Sequence, residues 1–466
     1  MSMFDVLVIG SGPGGYVAAI RAAQLGFNTA VVERAELGGI CLNWGCIPTK
    51  ALLKSAQALH YARHAADYGL QLTGGVQPDI EAVVQRSRGV AAGMSKGIDY
   101  LLKKNKVSLI TGSAKLVSNH SVEVSFADGA PAQLIEAKHI ILATGARARS
   151  LPFAPIDGEK IIGYRQALVP ACIPESLAIM GSGAIGSEFA WFYHSMGSKV
   201  TLIEYLDNIV PLEDEDVSAQ LSRSFRKAGI KVMTGAEVQS IDTSGPEGCV
   251  LKVKTKKGEE EVLATQVLSA VGIAANIENL GLEALGIVVE RGRIQVDANY
   301  QTTVPGIYAI GDLLSTPALA HVASAEALHC VEKLAGQNPP PIRYDNIPGC
   351  TYTTPEIASV GLTEKAAKER GMEIKVGKFP FTASGKAAAA GEKDGFIKLV
   401  FDAGSEELLG AHLIGANVTE MIAGLVTARN LGAKAKDIIH SVHPHPTMSE
   451  AIMEAAAVSK GEAVHL

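Results

Sequence analysis

Short apolar runs alternate with longer amphipathic stretches at the start of the chain. Residues 6–9 form a continuous apolar run that ends at a glycine, and the pattern over 16–25 predicts a helix. The run 29–32 predicts a second strand, which leads into Glu33. A strand, a glycine turn, a helix and a strand in this order predict a βαβ unit with parallel strands.

The same arrangement occurs a second time further along the chain. The apolar run 177–180 precedes another glycine turn, and the pattern over 187–196 predicts a helix. The predicted strand 199–203 then leads into Glu204. The chain therefore contains an internal duplication.

Both glycine turns have the spacing G-x-G-x-x-G. They consist of Gly10, Gly12 and Gly15 in the first unit and of Gly181, Gly183 and Gly186 in the second. The first glycine allows the tight turn, the second lets a pyrophosphate approach the backbone, and the third lets the helix pack on the strand. In both units a glutamate, the residue type that binds ribose hydroxyls, follows the last glycine by 18 residues. Two such sites in one chain predict two dinucleotides, with electrons passing between them.

Glu204 also bears on the choice of the second cofactor. A carboxylate at this position accepts a hydrogen bond from a 2′-hydroxyl and repels a 2′-phosphate. No arginine occurs in the following residues, 205–208. The second site is therefore predicted to bind NAD(H) rather than NADP(H).

The rest of the chain is organised around these two units. Short strands are predicted over 107–145, with turns at 118–119 and 128–129 and a closing strand at 139–142. Further strands are predicted at 267–271 and 306–310, a proline-rich connector at 338–341, and mixed strand and helix patterns over 346–466. The last region has no glycine fingerprint.

Composition narrows the class of protein. The 466 residues suggest about three domains, and 47% hydrophobic content is ample for buried cores. A net charge of −6 and no basic stripe argue against a nucleic-acid partner. No apolar run reaches the length of about 18 residues that a membrane helix needs, so no membrane partner is expected. No signal peptide is predicted, and six scattered cysteines indicate a reducing compartment, so we expect a cytoplasmic protein.

One pair of cysteines is exceptional. Cys41 and Cys46 are separated by four residues and follow the first fingerprint directly. A helix is predicted to begin around Pro48, and its positive end would lower the pKa of a nearby thiol. A close pair can exchange two electrons as a disulfide, and a flavin can accept both. We therefore expect an enzyme that passes electrons between a dithiol and a dinucleotide.

These features together resemble the pyridine nucleotide–disulfide oxidoreductase family over nearly the whole chain. The further motifs that carry the resemblance are A-T-G at 143–145, Y-A-I-G-D at 308–312 and H-P-H-P-T-M-S-E at 443–450. The resemblance implies an α/β fold with two Rossmann-like dinucleotide-binding domains and a C-terminal α+β dimerisation domain. The implied domains are FAD-binding and central (1–147 with 271–345), NAD-binding (148–270) and dimerisation (346–466).

The resemblance also implies roles for individual residues. Cys41 would be the interchange thiol that attacks the substrate, and Cys46 would be the charge-transfer thiol beside the flavin. Lys50 would lie by the flavin ring and be neutralised by Glu188, and Asp312 would bind the ribityl chain. The remaining implied cofactor contacts are Ala114, Thr144, Gly145, Val238, Gly272 and Ala320. No metal site is predicted.

His445 is the implied acid–base residue, paired with Glu450. An alternative remains open, because T-x-x-E at 447–450 is also a capping box. In that case Glu450 caps a helix and His445 is only a loop residue. His443 is the second candidate for the base.

The implied reaction oxidises dihydrolipoyl groups with NAD⁺ through the cysteine pair and FAD. The implied partner is the lipoyl domain of an acyltransferase component of a 2-oxo acid dehydrogenase complex. The implied assembly is a homodimer in which the histidine of one chain serves the cysteines of the other. A reductase similar to glutathione or mercuric reductase, or a flavin NADH oxidase, is the alternative. No cysteine follows Cys350, which disfavours a mercuric reductase.

The sequence departs from the family pattern at two places. Trp44 stands between the cysteines, where the family more often has a smaller aliphatic side chain. The segment 271–276 lacks the arginine often found after its glycine. The first departure is expected to alter packing near the cysteines, and the second to loosen a contact to NAD.

Overall fold

The computed structural model describes residues 3–245 and 248–466. Met1 and Ser2, where the predicted FAD-binding domain begins, and Pro246 and Glu247, inside the predicted NAD-binding domain, lie outside the described residues. The strands are β1 (Phe4–Ile9), β2 (Thr29–Glu33), β3 (Ser108–Thr111), β4 (Ser113–Leu116), β5 (Ser121–Ser125), β6 (Gln133–Leu142), β7 (Ala146–Ala148), β8 (Ile161–Ile162), β9 (Ser176–Met180), β10 (Lys199–Ile203), β11 (Lys231–Met233), β12 (Glu237–Asp242), β13 (Cys249–Thr255), β14 (Gly258–Ala264), β15 (Gln266–Ser269), β16 (Ile273–Ala275), β17 (Val289–Glu290), β18 (Arg293–Ile294), β19 (Ile307–Ala309), β20 (Gly349–Thr351), β21 (Glu356–Gly361), β22 (Ile374–Pro380), β23 (Phe396–Asp402) and β24 (Leu408–Gly415). The α-helices are α1 (Pro13–Gln24), α2 (Gly39–Trp44), α3 (Cys46–Arg63), α4 (Ile80–Lys104), α5 (Tyr164–Ala167), α6 (Ala184–Met196), α7 (Glu215–Ala228), α8 (Ala320–Leu334), α9 (Glu364–Glu369), α10 (Gly385–Ala390), α11 (Val418–Asn430), α12 (Ala435–Ile439) and α13 (Glu450–Lys460).

The chain divides into two compact units. Unit one consists of the chain up to Leu52 together with Glu81–Arg149 and Gly272–Ile342. Unit two consists of Leu53–Ile80, Ser150–Val271 and Arg343–Leu466. The finer division into three domains, with boundaries at 147, 270 and 345, stays a prediction.

Unit one is built on a seven-stranded sheet in the order β3-β2-β1-β6-β5-β4, with β19 also paired to β6. Strands β1, β2, β3, β6 and β19 are parallel to one another. Residues 6–9 of β1 are all buried, as is typical of a parallel sheet that is covered by other elements on both faces. The helix predicted over 16–25 begins earlier, at Pro13. A proline fits the first helical turn, where its missing N–H has no helical partner to lose.

Unit two contains a parallel sheet in the order β11-β10-β9-β15-β8. The helix that follows its glycine turn, α6, comes directly after Gly183 and so begins three residues before the predicted start at residue 187. The duplication predicted from the glycine spacing is therefore present as two parallel βαβ units. This arrangement confirms the predicted α/β class.

The C-terminal part of unit two is an antiparallel sheet in the order β20-β21-β24-β23-β22. Helix α13 packs so closely on β22 that an added Cβ at Gly377 would lie 1.8 Å from the carbonyl oxygen of Ala455. The mixture of strands and helices predicted over 346–466 is confirmed. No helix in the described ranges has both the length and the apolar character needed to span a bilayer.

A buried ion cluster connects α7 to this antiparallel sheet within unit two. Lys398 on β23 has only 4% of its side chain exposed, and its Nζ lies 2.8 Å from Asp214, 3.0 Å from Asp216 and 2.7 Å from Glu364. The neighbouring carboxyl group of Glu213 is buried, and its Oε2 has no hydrogen-bond partner within the described ranges. Burial raises the pKa of Glu213 to about 7, against a hydrogen bond from Ser359 and with the help of the Asp214 charge.

We expect Glu213→Gln to become more stabilising as the pH rises. The folded protein holds the Glu213 proton up to about pH 7, whereas the unfolded chain releases it near 4.5. The contribution of the wild-type residue is therefore complete below pH 4.5 and is lost as the pH rises through 7. Glutamine does not titrate, so over this range the free energy of unfolding of the variant should rise relative to that of wild type by about 3 kcal/mol. Chemical unfolding at several pH values measures it, with the exposed Glu215→Gln as control, and parallel curves for wild type and variant would contradict it.

Candidate redox and dinucleotide sites

Two consecutive helices carry the cysteine pair. Cys41 lies in the short helix α2, and Cys46 is the first residue of the 18-residue helix α3. The predicted start near Pro48 was therefore two residues late. Because the first N–H groups and the positive dipole end of α3 surround Cys46, this position favours a thiolate on its sulfur.

Residues 37–51 contain both cysteines and are called here the redox segment. This segment begins in contact with the first glycine turn. The N–H of Gly38 faces the carbonyl oxygen of Ser11 at 3.1 Å and its hydroxyl oxygen at 3.3 Å. Gly38 and Gly39 both have positive φ, at 91° and 61°. An added Cβ on Gly39 would lie 2.7 Å from the Cα of Gly12, so only glycine permits this approach.

The two thiols differ in their surroundings. Cys41 is half-buried, whereas Cys46 is exposed. A hydrogen bond from Cys41 to Cys46, followed by burial, raises the pKa of Cys41, and the positive charge of Lys50 opposes this shift. In the dithiol state these contacts favour the protonated form of Cys41. The charge-transfer role of Cys46 stays a prediction.

Hydrogen bonds between a serine and a glutamate hold the first glycine turn in place; this arrangement is called here the serine–glutamate lock. Glu33 Oε2 accepts hydrogen bonds from the Ser11 N–H at 2.8 Å and from its hydroxyl at 2.6 Å. Glu33 Oε1 accepts one bond, from the Ala35 N–H at 2.9 Å. A carboxylate has about two acceptor sites on each oxygen, so Oε1 retains room for a ribose hydroxyl.

The second turn repeats this lock. Glu204 Oε2 accepts from the Ser182 N–H at 2.9 Å and from its hydroxyl at 2.7 Å, and Oε1 accepts from Leu206 at 2.9 Å. The two serines were missed by sequence reasoning. The signal was present, because both fingerprints have serine between their first two glycines.

Both turns fit a dinucleotide. An added Cβ on Gly15 or Gly186 would lie 1.9 Å from a backbone oxygen, which explains the close packing of helix on strand. An added Cβ on Gly12 or Gly183 would meet no described atom within 4 Å. The middle glycine of each turn therefore faces open space at a helix N-terminus, as a pyrophosphate requires.

Ala114 and Val238 occupy equivalent places in the two units. The Gly112 N–H donates to the carbonyl oxygen of Glu33, and the Ala236 N–H donates to that of Glu204, both at 2.9 Å. Ala114 and Val238 each follow two residues later, on β4 and β12. Their predicted cofactor contacts are thus placed symmetrically and stay predictions.

Thr144, Gly145 and Gly272 lie in two segments of unit one that are tied together. The Thr144 hydroxyl donates to the carbonyl oxygen of Asn276 at 2.7 Å, and the Asn276 amide donates back to that of Thr144 at 2.9 Å. The Asn276 N–H bonds the Gly145 oxygen at 2.8 Å, and the Gly272 oxygen accepts from Arg149 at 3.0 Å. Asn276 was missed, because its partners are more than 100 residues away in sequence.

Asp312 and Ala320 follow strand β19, which pairs with β6 in the sheet of unit one. Burial raises the pKa of Asp312, while the charge of Arg293 opposes the shift. Arg293 donates to the backbone oxygen of Asp312, whose carboxylate has no hydrogen bond to any described residue. Ala320 is the first residue of α8. A carboxylate without a protein donor, next to a helix start, suits the predicted ribityl contact.

Lys50 and Glu188 belong to different compact units. Lys50 lies on α3, one turn after Cys46, and its charge acts on Cys41. Glu188 is buried on α6, where its Oε1 accepts the Tyr352 N–H at 3.0 Å. The predicted pairing of Lys50 with Glu188 stays a prediction.

His445 and Glu450 are in direct contact. His445 Nδ1 lies 2.8 Å from Glu450 Oε1, and the imidazole is 80% exposed. Glu450 Oε2 accepts the Thr447 N–H at 2.8 Å. Partial burial is opposed by these two hydrogen bonds, which together lower the pKa of Glu450. The carboxylate thus remains ionised and orients the imidazole, with Nε2 left for a substrate.

The capping box of the alternative interpretation does not form. Helix α13 begins at Glu450 with Ser449 as its N-cap residue, so Glu450 is not at the third helical position that a capping box requires. Glu450 instead accepts the N–H of Thr447 in the segment before the helix, and the Thr447 hydroxyl bonds the Pro444 oxygen. His443 Nδ1 lies 2.8 Å from the Ser441 oxygen, so the geometry favours His445 over His443 as the base.

The family follows from a direct comparison. Residues 4–327 match the model described as pyridine nucleotide-disulphide oxidoreductase, and residues 347–456 match the dimerisation domain of that family. The chain belongs to the pyridine nucleotide–disulphide oxidoreductases. Membership confirms the predicted oxidoreductase class and the predicted cofactors, FAD and NAD.

Close relatives in this oxidoreductase family share its full length. A dihydrolipoyl dehydrogenase of Rhizobium etli is 48% identical, and the match covers 99% of each chain. A dihydrolipoyl dehydrogenase of Zymomonas mobilis is 46% identical, again over 99% of each chain. The crystal structure of LpdA from Mycobacterium tuberculosis is 28% identical with a TM-score of 0.89, covering 97% of this chain and 99% of its own.

We expect Gly12→Val and Gly183→Val to fold but to lose different cofactors. Neither added side chain meets a described atom at Cβ, so each occupies the space left for a pyrophosphate. Gly12→Val should be purified with little flavin. Gly183→Val should keep its flavin absorbance and bind NADH about tenfold or more weakly. Flavin content and NADH titration measure the two effects, and loss of both cofactors from both variants would contradict the assignment.

We expect Glu450→Gln to lower the turnover number on the order of 100-fold, because the imidazole loses its ionised partner. The matched control is His465→Gln, which breaks another histidine–glutamate pair of helix α13, from His465 to Glu454 at 2.7 Å. Steady-state kinetics with unchanged flavin content measures the effect. Equal losses in both variants would show that only the stability of α13 is involved.

Proposed function

We propose that this chain is a dihydrolipoyl dehydrogenase. The observation that carries the proposal is the identity of 48% over 99% of both chains with a relative of that name. In the proposed reaction, protein-bound dihydrolipoyl groups are oxidised to lipoyl groups and NAD⁺ is reduced. The cysteine pair, the two glycine turns and the pair of His445 with Glu450 supply the groups that this reaction needs.

The proposed first half-reaction is a dithiol–disulfide exchange. His445 Nε2 takes a proton from a dihydrolipoyl thiol, since its Nδ1 is engaged by Glu450. The resulting thiolate attacks the sulfur of Cys41 in the Cys41–Cys46 disulfide, and Cys46 leaves as a thiolate. The second substrate thiol displaces Cys41 and its proton passes to the Cys41 sulfur, so that the substrate becomes a disulfide and the enzyme gains two electrons.

The proposed second half-reaction depends on where the chain holds its cofactors. Gly10, Gly12, Gly15 and Glu33 would hold FAD beside Lys50, and Gly181, Gly183, Gly186 and Glu204 would hold NAD. Bound FAD supplies the means of converting a thiolate electron pair into a hydride. The contact between Gly39 and Gly12 keeps the redox segment at the flavin site.

The proposed choice of NAD over NADP follows from Glu204. Its Oε2 is occupied by Ser182, and Oε1 keeps a free acceptor site that suits a hydroxyl. A phosphate at that place would meet a carboxylate instead of a cation. The absence of arginine from 205–208 supports the same choice.

The proposed assembly is a homodimer in the cytoplasm that serves a 2-oxo acid dehydrogenase complex. The match of residues 347–456 to a dimerisation domain supports two copies. In the proposed dimer, His445 of one chain acts at the cysteines of the other. The lipoyl domain of an acyltransferase component is the proposed partner, because it carries the dihydrolipoyl group.

An anaerobic visible spectrum tests the proposed reaction. We expect dihydrolipoamide to produce a long-wavelength thiolate–flavin band, and NAD⁺ to reverse it while NADH appears. Cys41→Ser is the control, because it should bind FAD and give no reduction by dihydrolipoamide. If dihydrolipoamide left the flavin spectrum unchanged, while NADPH reduced the flavin and another disulfide reoxidised it, the protein would be a different reductase. Oxygen consumption with NADH alone would indicate an oxidase.

A further inference from the structure

Helix α4 holds the redox segment through a row of polar side chains. Within unit one, its hydroxyls and guanidinium groups donate to backbone oxygens before, between and after the cysteines. The contacts run from Ser95 to Leu37 (2.7 Å), from Arg88 to Asn43, from Ser87 to Pro48 (2.9 Å) and from Arg86 to Ala51 (2.7 Å). Among these four bonds to backbone oxygens, that of Arg88 falls between Cys41 and Cys46, where the Ser95 hydroxyl also donates to the side-chain oxygen of Asn43 at 2.8 Å.

Arg88 also lies over the ring of Trp44, with its guanidinium carbon 4.2 Å from the ring centroid. The indole Nε1–H of Trp44 donates to Glu36 Oε1 at 3.1 Å. Glu36, Trp44 and Arg88 thus form one connected group, called here the tryptophan brace. It joins the residue before Gly45 to helix α4 on one side and to the segment before α2 on the other.

Helix α2 needs such support. It has six residues, too few for an isolated helix to be stable in water. Its last carbonyl groups have no partner inside the helix, and Arg88 satisfies the one at Asn43. The position of Cys41 relative to Cys46 therefore depends on contacts made from outside α2.

We propose that the tryptophan brace is a positioning device for the redox pair, and that Trp44 and Arg88 act together through it. A braced segment keeps each sulfur at a high effective concentration for the other, which favours the disulfide. When the brace is loosened, the disulfide becomes easier to reduce and Cys46 is held less well against the flavin. The proposal deepens the proposed function, since it concerns the same cysteine pair, but its test needs no lipoyl substrate.

The test uses the purified, FAD-containing protein and its Trp44→Leu, Arg88→Met and doubly substituted variants. Each is equilibrated with thiol–disulfide buffers of dithiothreitol, and the reduced fraction is read by thiol alkylation. The intensity of the thiolate–flavin band is read on the same samples. Trp44→Phe is the conservative variant, because it keeps a ring for Arg88 and loses the bond to Glu36.

Arg86→Met is the matched control. Arg86 lies on the same helix and donates to a backbone oxygen of the neighbouring helix, but beyond both cysteines rather than between them. A general weakening of α4 would affect it as much as Arg88→Met. Only variants with wild-type flavin content are compared, so a variant that fails to fold leaves Trp44→Phe and the control to decide.

We expect Trp44→Leu and Arg88→Met each to shift the disulfide equilibrium about tenfold towards the dithiol, which is about 30 mV for two electrons. The double variant should shift no further than either single variant, and Trp44→Phe should keep most of the wild-type value. Unchanged equilibria, additive shifts or an equal shift in Arg86→Met would overturn the proposal. A shift towards the disulfide in Arg88→Met alone would also overturn it, because the cation would then act by charge. If the wild-type protein had no activity with dihydrolipoamide, the proposed function would be refuted. The measured disulfide equilibria of the variants would still test the role of the brace.

Discussion

The approach of Gly39 to Gly12 is the contact on which the chemistry of unit one depends. With 2.7 Å between a would-be Cβ on Gly39 and the Cα of Gly12, position 39 cannot carry a side chain. The same turn that leaves space for a pyrophosphate therefore also carries the start of the redox segment. Cofactor site and thiol site share one piece of backbone, so the distance between them does not depend on a flexible linker.

The duplication shows what is specific to the redox unit. In unit one the hydroxyl and carbonyl oxygens of Ser11 face the N–H of Gly38, and in unit two those of Ser182 face the N–H of Val210, at 3.1–3.3 Å. The two turns, their glutamates and this incoming N–H are equivalent. The segments that supply this N–H differ, because the one that begins at Gly38 continues into Cys41 and Cys46, whereas the one that begins at Val210 continues into helix α7. A redox site has thus been built by changing the segment that arrives at an otherwise repeated turn.

Much of this arrangement could be predicted because it is local in sequence. The glycine spacings, the apolar runs before them and the glutamates after them lie within a few tens of residues. Helix starts were missed by two or three residues. Periodicity places the start of α1 later than Pro13, and the preference of proline for a first helical turn places the start of α3 at Pro48 rather than Cys46. Asn276 and Arg88 could not be found in this way, because each acts on backbone atoms that only folding brings near.

The lock between Glu204 and Ser182 has a consequence for protein engineering. Exchanging this glutamate for a basic residue is the obvious route to an enzyme that uses the phosphorylated nicotinamide cofactor. The same carboxylate, however, fastens the glycine turn through two bonds to Ser182. Replacing Glu204 alone would remove both the repulsion of a 2′-phosphate and the two hydrogen bonds that hold the turn. A successful redesign therefore has to supply a new hydrogen-bond acceptor for Ser182.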